Sequence, residues 1–343
     1  MFGLEALHKR PLVQHPGHLL SSDFCLSLEL GSFLSAEEEV RVIKTTPGPL
    51  KGTVKFSTYQ NDICLSVKTN KPLYICGNSK SVGTHSFSAI EIYTSDDYVA
   101  KNYSNDFSQI ATTLLSGFSN TAKFRSFHMP ASSRLLTYIC ASKGAIHSIA
   151  SRNIDFENLA AKVSTITPSS ESLMQFRTAI KAVLDNSKSR STEGHGLDNL
   201  NRPKICECIG KCFSDQKIGG EISLKLTHRH ELCKDLVFWG YDNIYQPISL
   251  EKVAAEIHTT SASLSQGCKE LLGIGPMTVL RYIRLEHIYQ ILSDRDIRSK
   301  YDLINIEEVR EKFGFKTRGN FAALYRKYFN ETPRETLLKS NKY

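Results

Sequence analysis

The spacing of apolar residues changes along this chain, and that change constrains the fold more than any other feature. Between residues 22 and 94, short apolar runs alternate with turn-forming residues such as Pro47-Gly48-Pro49, which is typical of β-strands. From His230 onward, apolar residues recur every three or four positions, which predicts helices. The predicted strands are 24–30, 53–59, 63–68, 73–76 and 86–93.

The middle of the chain also has helical spacing. It predicts helices at 107–118, 132–141, 169–184 and 204–213, the last with Pro203 near its first turn. A polar stretch rich in glycine and serine, 186–196, predicts a loop or hinge. The sequence therefore predicts an α+β protein, with a β-rich, barrel-like domain and helices at 1–230 and an all-α domain at 231–343.

The all-α part contains a first helix–turn–helix pattern. Ser249 is a good N-cap for a helix at 250–257, and Thr260 is a good N-cap for a second helix that ends at Gly273. Helical spacing turns Leu264, Cys268 and Leu271 inward. The opposite face of the second helix then carries Ala262, Ser265, Gln266 and Lys269.

A second pattern begins at Asn305, which forms a capping-box motif with Glu308. Gly314 ends its first helix and Thr317 caps the next. The predicted buried face of that helix is Phe321, Leu324, Tyr325 and Tyr328, and the outward face is Arg318, Asn320, Ala322, Ala323, Arg326 and Lys327.

A long helix links the two patterns. It runs from Pro276 to Leu292, a length of roughly 25 Å. Such a strut could place two recognition helices near the roughly 34 Å repeat of successive major grooves. The predicted fold of the C-terminal domain is therefore two helix–turn–helix units joined by a long helix.

The outward side chains suit DNA. Arginine pairs with guanine and asparagine or glutamine with adenine in the major groove, which favours base contacts by Arg318, Asn320 and Gln266. Lys269, Arg326 and Lys327 are better matched to phosphates. Ala262 and Ser265 are small enough for close approach or for contact with a thymine methyl group. The alternative is an ordinary solvated polar face.

These residues resemble the AraC/XylS family of bacterial transcription regulators over about the last 110 residues. The resemblance rests on Leu271-Leu-Gly-Ile-Gly-Pro276, Ile283-Arg-Leu285, Gly314-Phe315, the spacing of Phe321, Tyr325 and Phe329, and Pro333. Within the family, the first of these motifs and Pro333-Arg-Glu-Thr-Leu337 are similar to regulators of ethanolamine-utilisation operons.

The resemblance implies a DNA-binding domain of seven helices and an N-terminal domain for effector sensing, dimerisation or both. It implies double-stranded DNA, RNA polymerase, a small-molecule effector and a second copy of the chain as partners. The positions that match the family's base-reading places are Ala262, Ser265 and Gln266, and then Arg318, Gly319, Asn320 and Ala323. The chain departs from the family at Gly267 and Cys268, where larger apolar residues are usual, and at Arg310, where a small residue is usual.

The remaining features favour a cytoplasmic regulator over other classes, and the family resemblance implies an activator. No apolar run approaches the roughly 20 residues of a membrane span, and the N-terminus lacks a signal-peptide pattern. The sequence has no nucleophile elbow, P-loop or dinucleotide fingerprint, so we expect no enzyme and no cofactor beyond an effector. The formal net charge of +8 favours acidic partners, but it favours nucleic acid only weakly.

Three alternatives stay open at this point. The chain could be a regulator without a ligand, or a sensor or enzyme domain with the helical domain as a passenger. A metal or redox site could also form from Cys206, Cys208, Cys212 and Cys233 with His228 and His230. Their spacing lacks the paired motif of structural zinc sites, and a buried apolar stripe is the simpler interpretation.

Overall fold

In the part of the chain that the computed structural model describes, ten strands form two antiparallel sheets. The described residues are 18–20, 38–59, 62–79, 85–92, 113–116, 125–140, 144–162, 165–186, 200–215, 228–300 and 305–340. The strands are β1 His18–Leu20, β2 Glu38–Lys44, β3 Gly52–Tyr59, β4 Asp62–Thr69, β5 Leu73–Ser79, β6 His85–Ile92, β7 Leu115–Ser116, β8 Arg125–Met129, β9 Ser133–Cys140 and β10 Thr165–Ile166. The large sheet has the order β1-β3-β4-β9-β6-β7-β10, and the small sheet has the order β2-β5-β8.

The two sheets pack face to face. Their shared core contains Val42, Leu73, Ile75 and Met129 from the small sheet and Val54, Leu65, Val67, Ile90 and Leu135 from the large sheet. The predicted barrel is wrong for the described residues, because β1 and β10 lie at opposite ends of the large sheet and β2, β5 and β8 pair only with one another. The strands form an open stack of two sheets.

Helices cover the other face of the large sheet. They are α1 Gly144–Ala150, α2 Phe156–Lys162, α3 Ser170–Asn186 and α4 Asn201–Ser214. Phe87 and Tyr138 from the sheet are fully buried with Phe176 of α3 and Phe213 of α4. Asp62, also buried, accepts a hydrogen bond from the Tyr138 hydroxyl at 2.7 Å and pairs with Arg202 Nε of α4 at 2.7 Å. This core confirms the predicted helices at 169–184 and 204–213.

Two predicted helices do not form as expected. The helix at 132–141 is wrong, because these residues form β9, which pairs with β4 on one side and β6 on the other. Of the helix at 107–118, Leu115–Ser116 is a strand instead, and residues 107–112, 117 and 118 lie outside the described residues. Predicted strand 24–30 and most of the predicted loop 186–196 also lie outside them.

The C-terminal part is helical, as predicted. Its helices are α5 His228–Asp242, α6 Leu250–Glu256, α7 Ser261–Leu272, α8 Pro276–Ser293, α9 Arg295–Lys300, α10 Ile306–Lys312, α11 Arg318–Phe329 and α12 Pro333–Ser340. The described residues of this part form eight helices, where the family resemblance implies seven, and the eight include the six-residue α9. We call α6 and α7 the first helix pair, α10 and α11 the second helix pair, and α8 the linker helix.

The outer face of the small sheet contacts these helices. Ile43, Tyr74 and Cys76 belong to the same apolar cluster as the C-terminal core. Two hydrogen bonds join the same regions: Gly48 N–H donates to the Tyr328 carbonyl at 2.8 Å, and the Tyr241 hydroxyl donates to the Val42 carbonyl at 2.8 Å. The small sheet therefore lies between the large sheet and the C-terminal helices.

Among the described residues, no helix combines the length and the apolar character needed to cross a bilayer.

Candidate nucleic-acid interface

The first helix pair is bounded by the caps that its sequence predicts. Ser249 Oγ accepts a hydrogen bond from Lys252 N–H at 3.2 Å, and Thr260 Oγ1 accepts one from Ser263 N–H at 3.1 Å. The turn passes through His258 at φ 56°, and α7 ends at Gly273 with φ 70°. A left-handed backbone at that position favours glycine, because a side chain would strain it.

The two faces of α7 differ as the sequence predicts. Leu264 and Cys268 are fully buried, while Leu271 is half-buried. Gly267 is also buried, so the small residue lies on the core side. Of the candidate contact residues, Ala262, Gln266 and Lys269 are exposed and Ser265 is half-buried.

One contact on α7 was not predicted from the sequence. Gln266 Nε2 donates a hydrogen bond to Glu270 Oε1 at 2.9 Å. Glutamine and glutamate four residues apart on a helix are neighbours, so the spacing contained this signal. A base contact by Gln266 would require this amide to exchange its partner.

The second helix pair begins with a complete capping box. Asn305 Oδ1 accepts from Glu308 N–H at 2.9 Å, and Glu308 Oε2 accepts from Asn305 N–H at 3.3 Å. Gly314 ends α10 at φ 75°. Thr317 occupies the predicted N-cap position of α11, but its side chain makes no capping hydrogen bond.

The exposed face of α11 carries the residues predicted there except Ala322, which is half-buried. Phe321, Tyr325 and Tyr328 are buried and Leu324 is half-buried. The exposed candidates are Arg318, Gly319, Asn320, Ala323, Arg326 and Lys327. Three of the six carry positive charge, so this face attracts anions.

Aromatic rings support α11 from behind. The Tyr328 ring lies 4.3 Å from that of Tyr282 on the linker helix, and the Phe329 ring stacks on Tyr289 at 4.7 Å. The Tyr325 hydroxyl lies 2.8 Å from the hydroxyl of Thr336 on α12. Close-packed rings at these distances hold the helix on a rigid base.

Arg310, the departure from the family pattern, is part of the scaffold. It is buried, bonds the Phe315 carbonyl and pairs with Glu307 at 2.6 Å and Glu311 at 2.9 Å. The hydrogen bond from Arg310 lowers the pKa of Glu307, and the positive charge of Arg318 acts in the same direction. Arg310 therefore ties the turn of the second pair together, and we assign it no place on the exposed face.

The cysteines pack as apolar residues. Cys206 and Cys212 are buried in the core behind the large sheet, and Cys208 is half-buried at its edge. Cys233 Sγ lies 3.7 Å from Cys268 Sγ in the C-terminal core. Burial raises the pKa of the Cys206 and Cys208 thiols and raises the pKa of Cys212 to about 12.

No metal-binding arrangement of three histidine, cysteine or acidic side chains occurs among the residues that the structure describes. The side chains of His228 and His230 lie outside them.

The helical segment matches a known protein family. Residues 253–339, from within α6 to the end of α12, match the family described as "Helix-turn-helix domain". The match includes both helix pairs and the linker helix.

Two curated proteins are similar over part of their length. The chain is 34% identical over 185 residues to the regulatory protein HrpB of Ralstonia nicotianae, an alignment covering 54% of this chain and 35% of that protein. It is 30% identical over 92 residues to a probable thc operon regulatory protein of Rhodococcus erythropolis, covering 27% of this chain and 26% of that protein. The chain thus spans about a third or less of the relatives it matches.

Solved structures give a weaker likeness. A probable AraC family transcriptional regulator from Rhodopseudomonas palustris is 26% identical, covering 32% of this chain and 97% of that one, with a TM-score of 0.29. ToxT from Vibrio cholerae is 11% identical, covering 90% of this chain and 100% of that one, with a TM-score of 0.30. The family match indicates that residues 253–339 form a helix-turn-helix domain.

Proposed function

We propose that this chain is a sequence-specific DNA-binding transcription regulator of the AraC/XylS type. One observation carries the proposal: two helix pairs on a common core each present a polar, exposed face on their second helix. The helix-turn-helix family match to the same segment supports it. In this proposal α7 and α11 are the two recognition helices, and residues 231–343 form the DNA-binding domain.

The side chains of the two recognition helices divide into two roles. Gln266, Arg318 and Asn320 read base edges, because their donor and acceptor groups match adenine and guanine in the major groove. Lys269, Arg326 and Lys327 contact phosphates, which position the protein and carry no sequence information. The small residues Ala262, Ser265, Gly319 and Ala323 allow the helices to approach the base pairs closely.

We further propose that residues 1–230 sense a small molecule and mediate dimerisation, and that the effector-bound chain activates transcription with RNA polymerase. The contacts between the small sheet and the C-terminal helices support a link between the two parts, because Tyr328 of α11 accepts a hydrogen bond from Gly48. The sequence likeness to ethanolamine-operon regulators makes small amines the first compounds to test. In this proposal the chain exchanges between a state with high DNA affinity and a state with low DNA affinity. The effector shifts this equilibrium only if it binds one state more tightly than the other.

DNA binding by the full chain tests the proposal. Duplexes selected by the protein from a random library would be titrated at increasing salt, and we expect affinity to fall steeply because phosphate contacts release counterions. Arg326→Ala should reduce the salt dependence. Arg295→Ala, an exposed arginine on α9 outside both recognition helices, is the matched control and should leave it unchanged. Failure to enrich any sequence would refute the proposal.

Effector gating needs a separate test. Calorimetry of the full chain against a panel of small amines and other metabolites would find ligands, and each ligand would then be added to the DNA titration. A coupling of about 1–3 kcal/mol would change DNA affinity roughly 5–150-fold. A tight ligand that leaves both DNA affinity and transcription unchanged would refute gating and leave DNA binding standing.

A further inference from the structure

Arg284 is a buried cation at the middle of the linker helix. It is the ninth of the 18 residues of α8, and only 4% of its surface is exposed. Burial lowers its pKa to about 10, so the guanidinium stays protonated at neutral pH. A charged group in such a site must be satisfied by hydrogen bonds, because desolvation otherwise makes it costly.

One partner of Arg284 lies in the second helix pair, and the other lies in the segment that leads into the first helix pair. Its Nη1 donates to the carbonyl of Phe313, the C-cap of α10 in the second pair, at 2.9 Å. Its Nη2 donates to the carbonyl of Gln246, which precedes the Ser249 N-cap of the first pair by three residues. The planar guanidinium of Arg284 therefore bonds both the C-terminal end of α10 and the segment that precedes α6 to one position on α8.

Neighbouring side chains reinforce this junction. The ring of Tyr245 lies 5.0 Å from that of Phe313 in an edge-to-face contact, and Lys312 Nζ lies 5.3 Å from the centre of the Tyr245 ring. Gly314 follows Phe313, and a Cβ built on it would lie 3.1 Å from Arg284 Nη1. The second helix pair and the segment that leads into the first helix pair therefore meet at Arg284.

We propose that Arg284 is a positioning residue that fixes the relative placement of the two recognition helices, and so sets the spacing between the two DNA segments that one chain can bind. The proposal rests on the proposed DNA-binding function. It assigns Arg284 no contact with DNA, since its guanidinium is buried and turned toward two backbone carbonyls. A rigid junction at Arg284 keeps the two recognition helices at one defined separation.

The role of Arg284 can be tested by changing the number of base pairs between the two contacted DNA segments. Adding one base pair between two contacted segments moves them apart by about 3.4 Å and rotates them by about 34°. A chain with a rigid junction cannot follow that change, whereas a chain with a loose junction can. Recognition of either segment alone does not depend on the junction.

The experiment uses the full chain and duplexes that the unaltered protein selects from a random library. Affinities would be measured for the selected duplex, for versions with one or two base pairs inserted between the contacted segments, and for versions with one segment scrambled. We expect the unaltered chain to lose about tenfold or more in affinity for each inserted duplex, a loss of about 1.4 kcal/mol per factor of ten.

Arg284→Met should keep its affinity for the half-scrambled duplexes within about twofold and lose most of its preference among spacings. Arg284→Lys retains a cation but not the forked guanidinium, so its preference among spacings should lie between those of the unaltered chain and Arg284→Met. Arg295→Met is the control for the loss of one positive charge and should behave like the unaltered chain. If circular dichroism shows that Arg284→Met is unfolded, Arg284→Lys carries the comparison.

Two results would overturn the inference while DNA binding stands. One is a folded Arg284 variant that keeps the spacing preference of the unaltered chain. The other is an unaltered chain that binds its duplex but tolerates every insertion. If the unaltered chain selects no DNA at all, the proposed function itself fails, so the two failures are distinguishable.

Discussion

At the residue scale, the proposed division of roles predicts different effects on sequence preference. Arg318→Ala and Gln266→Ala should each cost roughly 1–3 kcal/mol on the selected site and relax the preference at one base position. Lys327→Ala should weaken all sequences about equally and reduce the salt dependence. Affinities measured on single-base variants of the site would check this. A change in sequence preference from Lys327→Ala but not from Arg318→Ala would show that the face assignment is rotated.

The buried thiols lead to a second prediction. Burial raises the pKa of Cys64 and Cys140, and the hydrogen bond with Cys233 together with burial raises the pKa of Cys268, so these cysteines carry very little thiolate at pH 8. We expect an alkylating reagent to modify only the half-buried Cys208 among the described cysteines of the folded chain, and all of them in urea. Peptide mapping by mass spectrometry separates these sites from Cys25. Rapid alkylation of Cys233 or Cys268 in the folded chain would contradict the buried assignment.

Residue spacing predicted exposure well on the two recognition helices but gave no sign of the buried arginines. Arg318 and Phe321 lie on opposite faces of α11, as helical periodicity requires. Arg284 and Arg310 are both buried, although a cation in a helical pattern ordinarily indicates a solvated position. Their carbonyl partners at Phe313 and Phe315 come from other segments or from a turn, so periodicity within one helix could not show them.

At the element scale, the two N-caps of the second helix pair provide a matched comparison. Asn305 makes both bonds of its capping box, whereas Thr317 makes no side-chain capping bond. Asn305→Ala should therefore lower the free energy of unfolding by about 1 kcal/mol, and Thr317→Ala should lower it by less. Urea denaturation of the full chain measures both. Equal losses would show that the Thr317 hydroxyl also caps its helix.

Strand β9 shows why the sequence pattern predicted a helix where the structure has a strand. Seven of its eight residues are buried, because the small sheet covers one face and helices cover the other. A strand buried on both faces loses the alternation of apolar and polar residues that identifies strands. Leu135, Leu136, Tyr138 and Ile139 then imitate the spacing of a helix, whereas the half-exposed helices of the C-terminal part kept their pattern.

At the scale of the whole molecule, the sequence indicated two kinds of structure but not how they contact each other. Lys44 ends β2 and follows an ordinary strand pattern, yet it is 1% exposed and lies 3.5 Å from Glu286 on the linker helix. Its ammonium also lies 3.8 Å from the centre of the Tyr328 ring and donates to the Gly48 carbonyl at 2.8 Å. Glu286 and Tyr328 are more than 240 residues from Lys44 in the sequence, so only the fold brings them to it.

We predict that breaking the buried Lys44–Glu286 pair lowers stability more than breaking a shorter ion pair that is exposed to solvent. Lys44→Met removes the ammonium beside a buried carboxylate and should lower the free energy of unfolding by about 3–5 kcal/mol, since the remaining charge stays in a site of low polarity. Lys55→Met is the control: its pair with Asp185 is shorter, at 2.9 Å, but Asp185 is 65% exposed, so the expected loss is below about 1 kcal/mol.

The double variant Lys44→Met with Glu286→Gln should recover much of the lost stability, because it removes the uncompensated charge together with its partner. Urea denaturation of the four proteins, followed by fluorescence and by circular dichroism, would measure these differences and show whether both parts of the chain unfold together. A Lys44→Met protein as stable as the unaltered chain would mean that the small sheet and the linker helix do not form this contact in solution. In that case the buried Lys44–Glu286 pair would no longer support coupling between the two parts, and effector gating through this contact would fail with it.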